Sequence, residues 1–132
     1  MHTERMDVNT LVRMKVVIVG SDTWKDIDAI WRELQPLWEQ HGSKLVVGYP
    51  DRDSGACRLT DALCAQAGID RVKVPLNIQR DDSDKHQLTL LFRMIRPDLI
   101  LAFHPFINNS KRTLLAKRLA EEMGLVLRVV AR

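Results

Sequence analysis

Short, almost uninterrupted apolar runs alternate with longer stretches of helical spacing, and that alternation restricts the possible folds more than any single motif in the chain. Lys15 to Val19 is apolar after its first residue and is closed by Gly20. Trp24 to Gln40 then carries Trp24, Ile27, Ile30, Trp31, Leu34, Leu37 and Trp38 at helical spacing. Asp22 or Thr23 is placed to cap that helix, Gly42 to end it, and Pro36 to kink or interrupt it. Leu45 to Val47 reads as a second strand, closed by Gly48-Tyr49-Pro50, and Ala56 to Ala67 as a helix stopped by Gly68. Arg71 to Val74 is a third strand with weak alternation. Asp81-Asp82-Ser83-Asp84 caps a helix running to about Ile95, which Pro97 ends. Leu99 to Phe103 is the most apolar strand, Asn109 or Ser110 opens a helix to Met123, and Leu125 to Val130 is the last strand.

Strands that read as continuous apolar runs and are separated by helices belong to parallel sheets covered on both faces. The expected fold is therefore α/β: three layers, Rossmann-like, with a five-stranded, mainly parallel sheet. A chain of 132 residues with 45% hydrophobic content makes one core. Residues 13–132 are expected to be a single domain and residues 1–12 a flexible leader; Met14 directly precedes the first strand, so the leader also fits a choice of start codon.

Charge and cysteine usage limit the setting. The net charge of +3 is too small to imply nucleic acid by itself. No apolar run approaches the ~20 residues of a membrane helix, and Met1 to Thr10 is too polar for a signal peptide. Cys57 and Cys64 lie seven apart in one predicted helix, ~10 Å along its axis, beyond the ~7 Å that a disulfide spans. Two reduced thiols fit the cytoplasm. With no CxxC pair and four scattered histidines, no metal site is expected, and no cofactor is implied.

In such sheets ligands bind beyond the carboxyl ends of the strands, which singles out three loops. In the first, Gly20-Ser21-Asp22-Thr23-Trp24, a glycine leaves a buried strand before a capped helix and exposes backbone N–H groups; a plain tight turn reads equally simply. In the second, Tyr49 to Gly55, Ser54-Gly55 opens a helix with Arg52 and Arg58 at hand to neutralise an anion, or Ser54 is only a cap. The third, His104 to Thr113, brings Ser110, Lys111 and Thr113 to one helix start, where dipole and free donors favour phosphate. Lys111 and Arg112 are unusual in a first helical turn and need an anion or a solvent-facing position. His104 reads as a plain loop residue or a ligand contact.

The stretches Val16 to Trp24, Ser54-Gly55-Ala56-Cys57-Arg58-Leu59, and Ala102-Phe103-His104 through Ser110-Lys111-Arg112-Thr113 resemble the YspA/YpsA-related branch of the SLOG superfamily, which also contains the Lonely Guy phosphoribohydrolases and DprA-type DNA-processing proteins. The resemblance runs from about Met14 to Val130 with the motifs in the expected order. It implies a nucleotide or nucleotide-derived ligand held by these loops. By matching position it points to Gly20, Ser21, Ser54, Gly55, Ser110, Lys111 and Thr113. Arg112 joins that set by departing from the family glycine: its side chain either blocks close approach of the backbone or grips a phosphate bidentately. Cys57 stands in place of the usual Asp, and Gly48-Tyr49-Pro50 replaces paired glycines. Ala116 stands where Lonely Guy enzymes have a glutamate three positions past the threonine, so their glycosidic-bond hydrolysis is not implied.

The leading expectation is a sensor or binding protein for such a ligand. A hydrolase of an N-glycosidic or phosphate bond is the alternative, with Asp22, Asp53 and His104 as the available acids and bases. DNA binding through Lys111, Arg112, Lys117 and Arg118, or a degenerate cleft serving a protein partner, are further readings, with a solvated helix the default for that basic stretch. Glu121-Glu122 reads as a solvated face and Asp81 to Asp84 as a helix cap. Trp24, Trp31 and Trp38 at heptad spacing suggest one helix face used for core packing or a homodimer contact.

Overall fold

The computed structural model describes residues 13–75, 83–105 and 111–131. Its elements are β1 Met14–Gly20, α1 Ile27–His41, a 3-10 turn Gly42–Lys44, β2 Leu45–Pro50, α2 Gly55–Ala67, β3 Asp70–Val74, α3 Ser83–Ile95, β4 Leu99–Phe103, α4 Lys111–Met123 and β5 Leu127–Val130. The strands form one sheet in the order β3-β2-β1-β4-β5, and each of the pairings is parallel. The expected three-layer α/β architecture is present, with a sheet that is wholly rather than mainly parallel.

Two cores explain why the buried stretches 16–19 of β1 and 100–103 of β4 are apolar at successive positions. Val16 and Ile18 point to one face, with Leu45, Val47, Tyr49, Leu101 and Phe103, against α1 and α2. Val17 and Val19 point to the other, with Ile100 and Ala102, against Leu88, Leu91 and Phe92 of α3 and Ala116 and Leu119 of α4. A strand covered on both sides cannot spare alternate positions for water. The edges differ: β3 is mostly exposed until Val74, and β5 has no fully buried residue.

Several local expectations are corrected. The first helix begins at Ile27, and its cap is Asp26, whose carboxylate accepts the Ala29 N–H at 3.0 Å, not Asp22 or Thr23. Trp24 therefore precedes the helix; it is buried edge-on against Phe103, with ring centroids 5.5 Å apart, so the three tryptophans do not share a helix face. Trp31 and Trp38 do, with centroids 6.1 Å apart. α1 continues through Pro36, where the only helical bond a proline removes is to the carbonyl of Arg32, an exposed residue. Gly48-Tyr49-Pro50 is not a turn but the end of β2, paired with Val72–Val74. Gly48 sits there because a β-carbon would lie 2.0 Å from Ile95 Cδ1, so its absence lets α3 close onto the sheet. The last strand starts at Leu127, not Leu125, because the Leu125 N–H is still tied to the Ala120 carbonyl beyond the helix end.

Helices α1 and α2 cover one face and α3 and α4 the other. The winding therefore reverses between β1 and β4, and in doubly wound sheets the ligand crevice opens beyond the carboxyl ends of the strands at such a switch point.

Candidate functional site

The carboxyl ends of β1 and β4 are joined by backbone. Ser21 N–H donates to the Phe103 carbonyl at 2.9 Å, and Ala56 N–H, at the start of α2, donates to the Ser21 carbonyl at 3.1 Å. Glycines make this approach possible. A β-carbon on Gly20 would lie 2.5 Å from the Phe103 oxygen and 2.8 Å from Ala56 Cβ; one on Gly55 would lie 2.2 Å from the Ser21 oxygen. Ser21 is buried, its hydroxyl 2.8 Å from the Thr23 hydroxyl and accepting the Thr23 N–H at 3.1 Å. Gly20, Ser21 and Gly55 thus build the floor of the site by packing its loops on one another.

Arg112 crosses above this floor from the first turn of α4. Its guanidinium donates to both carboxylate oxygens of Asp22, at 2.8 and 3.3 Å, and to the Gly20 carbonyl at 3.1 Å. The arginine side chain is only 15% exposed, its aspartate partner 50%. The anion that a cation in a first helical turn requires is supplied by the protein itself.

Beside the pair opens a polar cleft of about 470 Å³ lined by Asp22, Asp51, Arg52, Asp53, Ser54 and Pro75. Asp51 immediately follows β2 and is anchored by its N–H to the Val74 carbonyl at 2.9 Å. Ser54 occupies the cap position of α2, but its side chain makes no capping bond and is exposed to the cleft. Arg52 is turned towards α3: its guanidinium reaches the Asp84 carboxylate and, at 2.9 Å, the Gln87 side-chain oxygen. Gln87 in turn donates to the Val74 carbonyl at 2.8 Å. The buried Nε of Arg52 has no acceptor among the described residues.

The other expected residues scatter. Thr113 is completely buried at the base of α4, Lys111 is exposed at its start, and Ser110 lies outside the described residues, as do Asp81, Asp82, Phe106, Asn109 and the leader. Arg58 is exposed on α2 and His104 half-buried, its N–H bonded to the Val130 carbonyl. Asp51 and the Arg52–Asp84–Gln87 chain escaped sequence reasoning. A carboxylate placed directly after the second strand was the available signal for the first; nothing in the sequence brings Asp84 and Gln87 to Arg52.

Chemically the site offers carboxylates, a hydroxyl and two bound guanidinium groups. Cys57, below the floor, is no nucleophile: burial pushes its thiol up to about 12, against the opposing pull of Arg112 and Arg52. Among the described residues no cluster of three or more potential metal ligands occurs, and no helix is long and apolar enough to cross a membrane. A second cavity of about 420 Å³ is a largely apolar groove between α1 and α2, lined by Ile27, Asp28, Trp31, Leu63, Gln66 and Ala67 and holding no cation.

No family model matches the chain, and no curated protein matches it. Among solved structures the chain is similar to the NADH-dependent reductase A1-R′ complexed with NAD, at 14% identity and a TM-score of 0.47. The match covers 92% of this chain and 60% of that one, so this chain spans about three fifths of the reductase's length.

Proposed function

We propose that this protein binds a nucleotide or nucleotide-derived ligand at the carboxyl edge of its sheet, as a sensor or binding protein of the SLOG type. The observation that carries the reading is the polar cleft lined by Asp22, Asp51, Arg52, Asp53 and Ser54, which opens beyond the carboxyl ends of β1, β2 and β3. Ligands of doubly wound sheets bind at such a place, and a carboxylate near the end of the second strand is well suited to ribose hydroxyls. Asp51 holds that position and is exposed. Carboxylates accept from hydroxyl and amino groups, so Asp51 and Asp53 suit the sugar and base of a nucleotide better than its phosphate.

Binding is favoured over turnover by the state of Asp22 and of the thiol below the floor. Asp22 is engaged by Arg112, and Cys57 is buried and protonated. A general base must reach its proton, and the Asp22 carboxylate is held by Arg112 instead.

Thermal unfolding against AMP, ADP, ATP, ADP-ribose, NAD and cyclic dinucleotides tests the reading. A ligand at ~100 times its Kd adds about 2.7 kcal/mol, enough to raise the melting temperature by roughly 5 °C or more in a domain of this size. A selective rise is expected, and Asp51→Asn should reduce it. No rise with any of these at millimolar concentration overturns the proposal.

A further inference from the structure

A guanidinium that is 15% exposed, set in the first turn of a helix, is held there against two costs: lost hydration and the positive end of the helix dipole. Asp22 offsets both with two charge-assisted bonds, and Gly20 adds its carbonyl. The position therefore demands an anion, but nothing in it demands a carboxylate. An arginine fork fits phosphate in the same bidentate way, and phosphate brings more charge and a third acceptor.

Asp22 is also the member of the pair that is free to leave. Its carboxylate is half-exposed and forms part of the cleft wall, whereas the Arg112 side chain is only 15% exposed. Its backbone is fixed: Ser21 is tied to Phe103 and Ala56, and Gly55 lies against the Asp22 backbone with no room for a β-carbon. Rotation of that one side chain would release two of the guanidinium's bonds and leave the floor of the site in place.

Resting on the binding reading above, we infer that Asp22 is a built-in stand-in for the ligand's phosphate, and that Arg112 selects phosphorylated ligands by exchanging Asp22 for a phosphate group. The ligand class is then a phosphate monoester or diphosphate of a nucleoside, bound with its phosphate at Arg112 and its sugar towards Asp51. The bare nucleoside leaves the ion pair closed and binds more weakly.

The test uses inorganic phosphate and pyrophosphate as probes on the full chain, following the Arg112 side-chain N–H signal by NMR, assigned through its loss in Arg112→Lys. Both probes should shift that signal in the wild type. Asp22→Asn, which removes the competing charge, should tighten binding by about two- to fivefold, the range for a partly exposed ion pair. Arg112→Ala should weaken it by about tenfold or more, and Arg112→Lys, which keeps the charge without the fork, should recover only part of the loss; melting curves of each variant show that it is folded. Unchanged or weaker phosphate binding in Asp22→Asn overturns the inference, as does an Arg112 signal indifferent to both probes. Nucleotide-dependent melting shifts that survive Arg112→Ala at full size sink this inference and leave the binding proposal standing, whereas no nucleotide shift in the wild type sinks both.

Discussion

At position 55 a β-carbon would lie 2.2 Å from the Ser21 carbonyl oxygen and 2.4 Å from the Asp22 Cα, on a backbone whose φ is +77°. At Gly68 the φ is similar, +74°, but nothing lies within 4 Å. The two residues separate backbone strain from close packing. Gly68→Ala should cost about 1–2 kcal/mol, the cost of a left-handed conformation for an L-residue. Gly55→Ala adds a collision with backbone that cannot step aside, and should cost about 1–3 kcal/mol more. Urea unfolding of the two variants checks the difference; equal losses would mean that the first loop and the start of α2 are less tightly fitted than these distances imply. Gly55 stood out in the sequence as a phosphate-holding position because it opens a helix. Its contact with Ser21 and Asp22, more than thirty residues earlier in the chain, is a tertiary fact that no local pattern carries. Arg112 was legible as a residue needing an anion, because cations are disfavoured in first turns; which anion it found was not.

Elements were legible wherever both ends were marked by residues acting locally, and less so where a distant partner decides. The apolar runs of β1 and β4 needed only the rule that doubly covered strands lose their alternation. β2 was cut short because Gly48-Tyr49-Pro50 has turn composition; only pairing with Val72–Val74 on one side and the fit of Ile95 over Gly48 on another make it strand. The start of α1 was misplaced because Trp24 falls on the helical period of Ile27 and Trp31 while in fact turning into the core beside Phe103, its indole N–H donating to the Asp26 carbonyl at 2.8 Å. The polar cleft shares this limit: its carboxylates lie in loops the sequence pointed to, but the tether of Arg52 to α3 comes from packing. The corrected cap makes its own prediction. Asp26→Ala removes the acceptor for the Ala29 N–H and should cost about 1 kcal/mol, the usual worth of such a cap. Asp26→Asn keeps an acceptor oxygen and should cost less. Chemical unfolding of both variants decides it, and a loss near zero for Asp26→Ala would mean that α1 is held by packing alone.

At the scale of the molecule, groups that ionise in alkali are concentrated in one of its two cores. The sole tyrosine, Tyr49, and both cysteines lie with α1 and α2 on the same side of the sheet, each at most 4% exposed. Burial raises the Tyr49 phenol well above its ordinary 10, and its 2.5 Å hydrogen bond to the Asp61 carboxylate reinforces the shift. That same bond is the main reason the Asp61 carboxyl is held below its usual 3.8, with Lys73 and Arg71 assisting. Burial pushes Cys57 and Cys64 up to about 12. All three acids are thus protonated in the folded state and ionise near 9 to 10 once unfolded. A raised folded pKa gives stability that is complete below the unfolded value and lost as pH climbs towards the folded one. Each group then removes about 1.4 kcal/mol per pH unit. Acting together above pH ~10 they remove up to about 4 kcal/mol per unit, a slope that exhausts a stability of ordinary size, about 5–15 kcal/mol, within a few units. Because Tyr49 is the only tyrosine, phenolate absorbance reports on this core alone. Phenolate formation, thiol reactivity and loss of helical circular dichroism are therefore expected to rise in one transition, displaced to higher pH than free tyrosine. A phenolate signal appearing near pH 10 while the circular dichroism stays native would show that water reaches Tyr49 in the folded protein, and that the α1–α2 side is not the closed layer these burials describe.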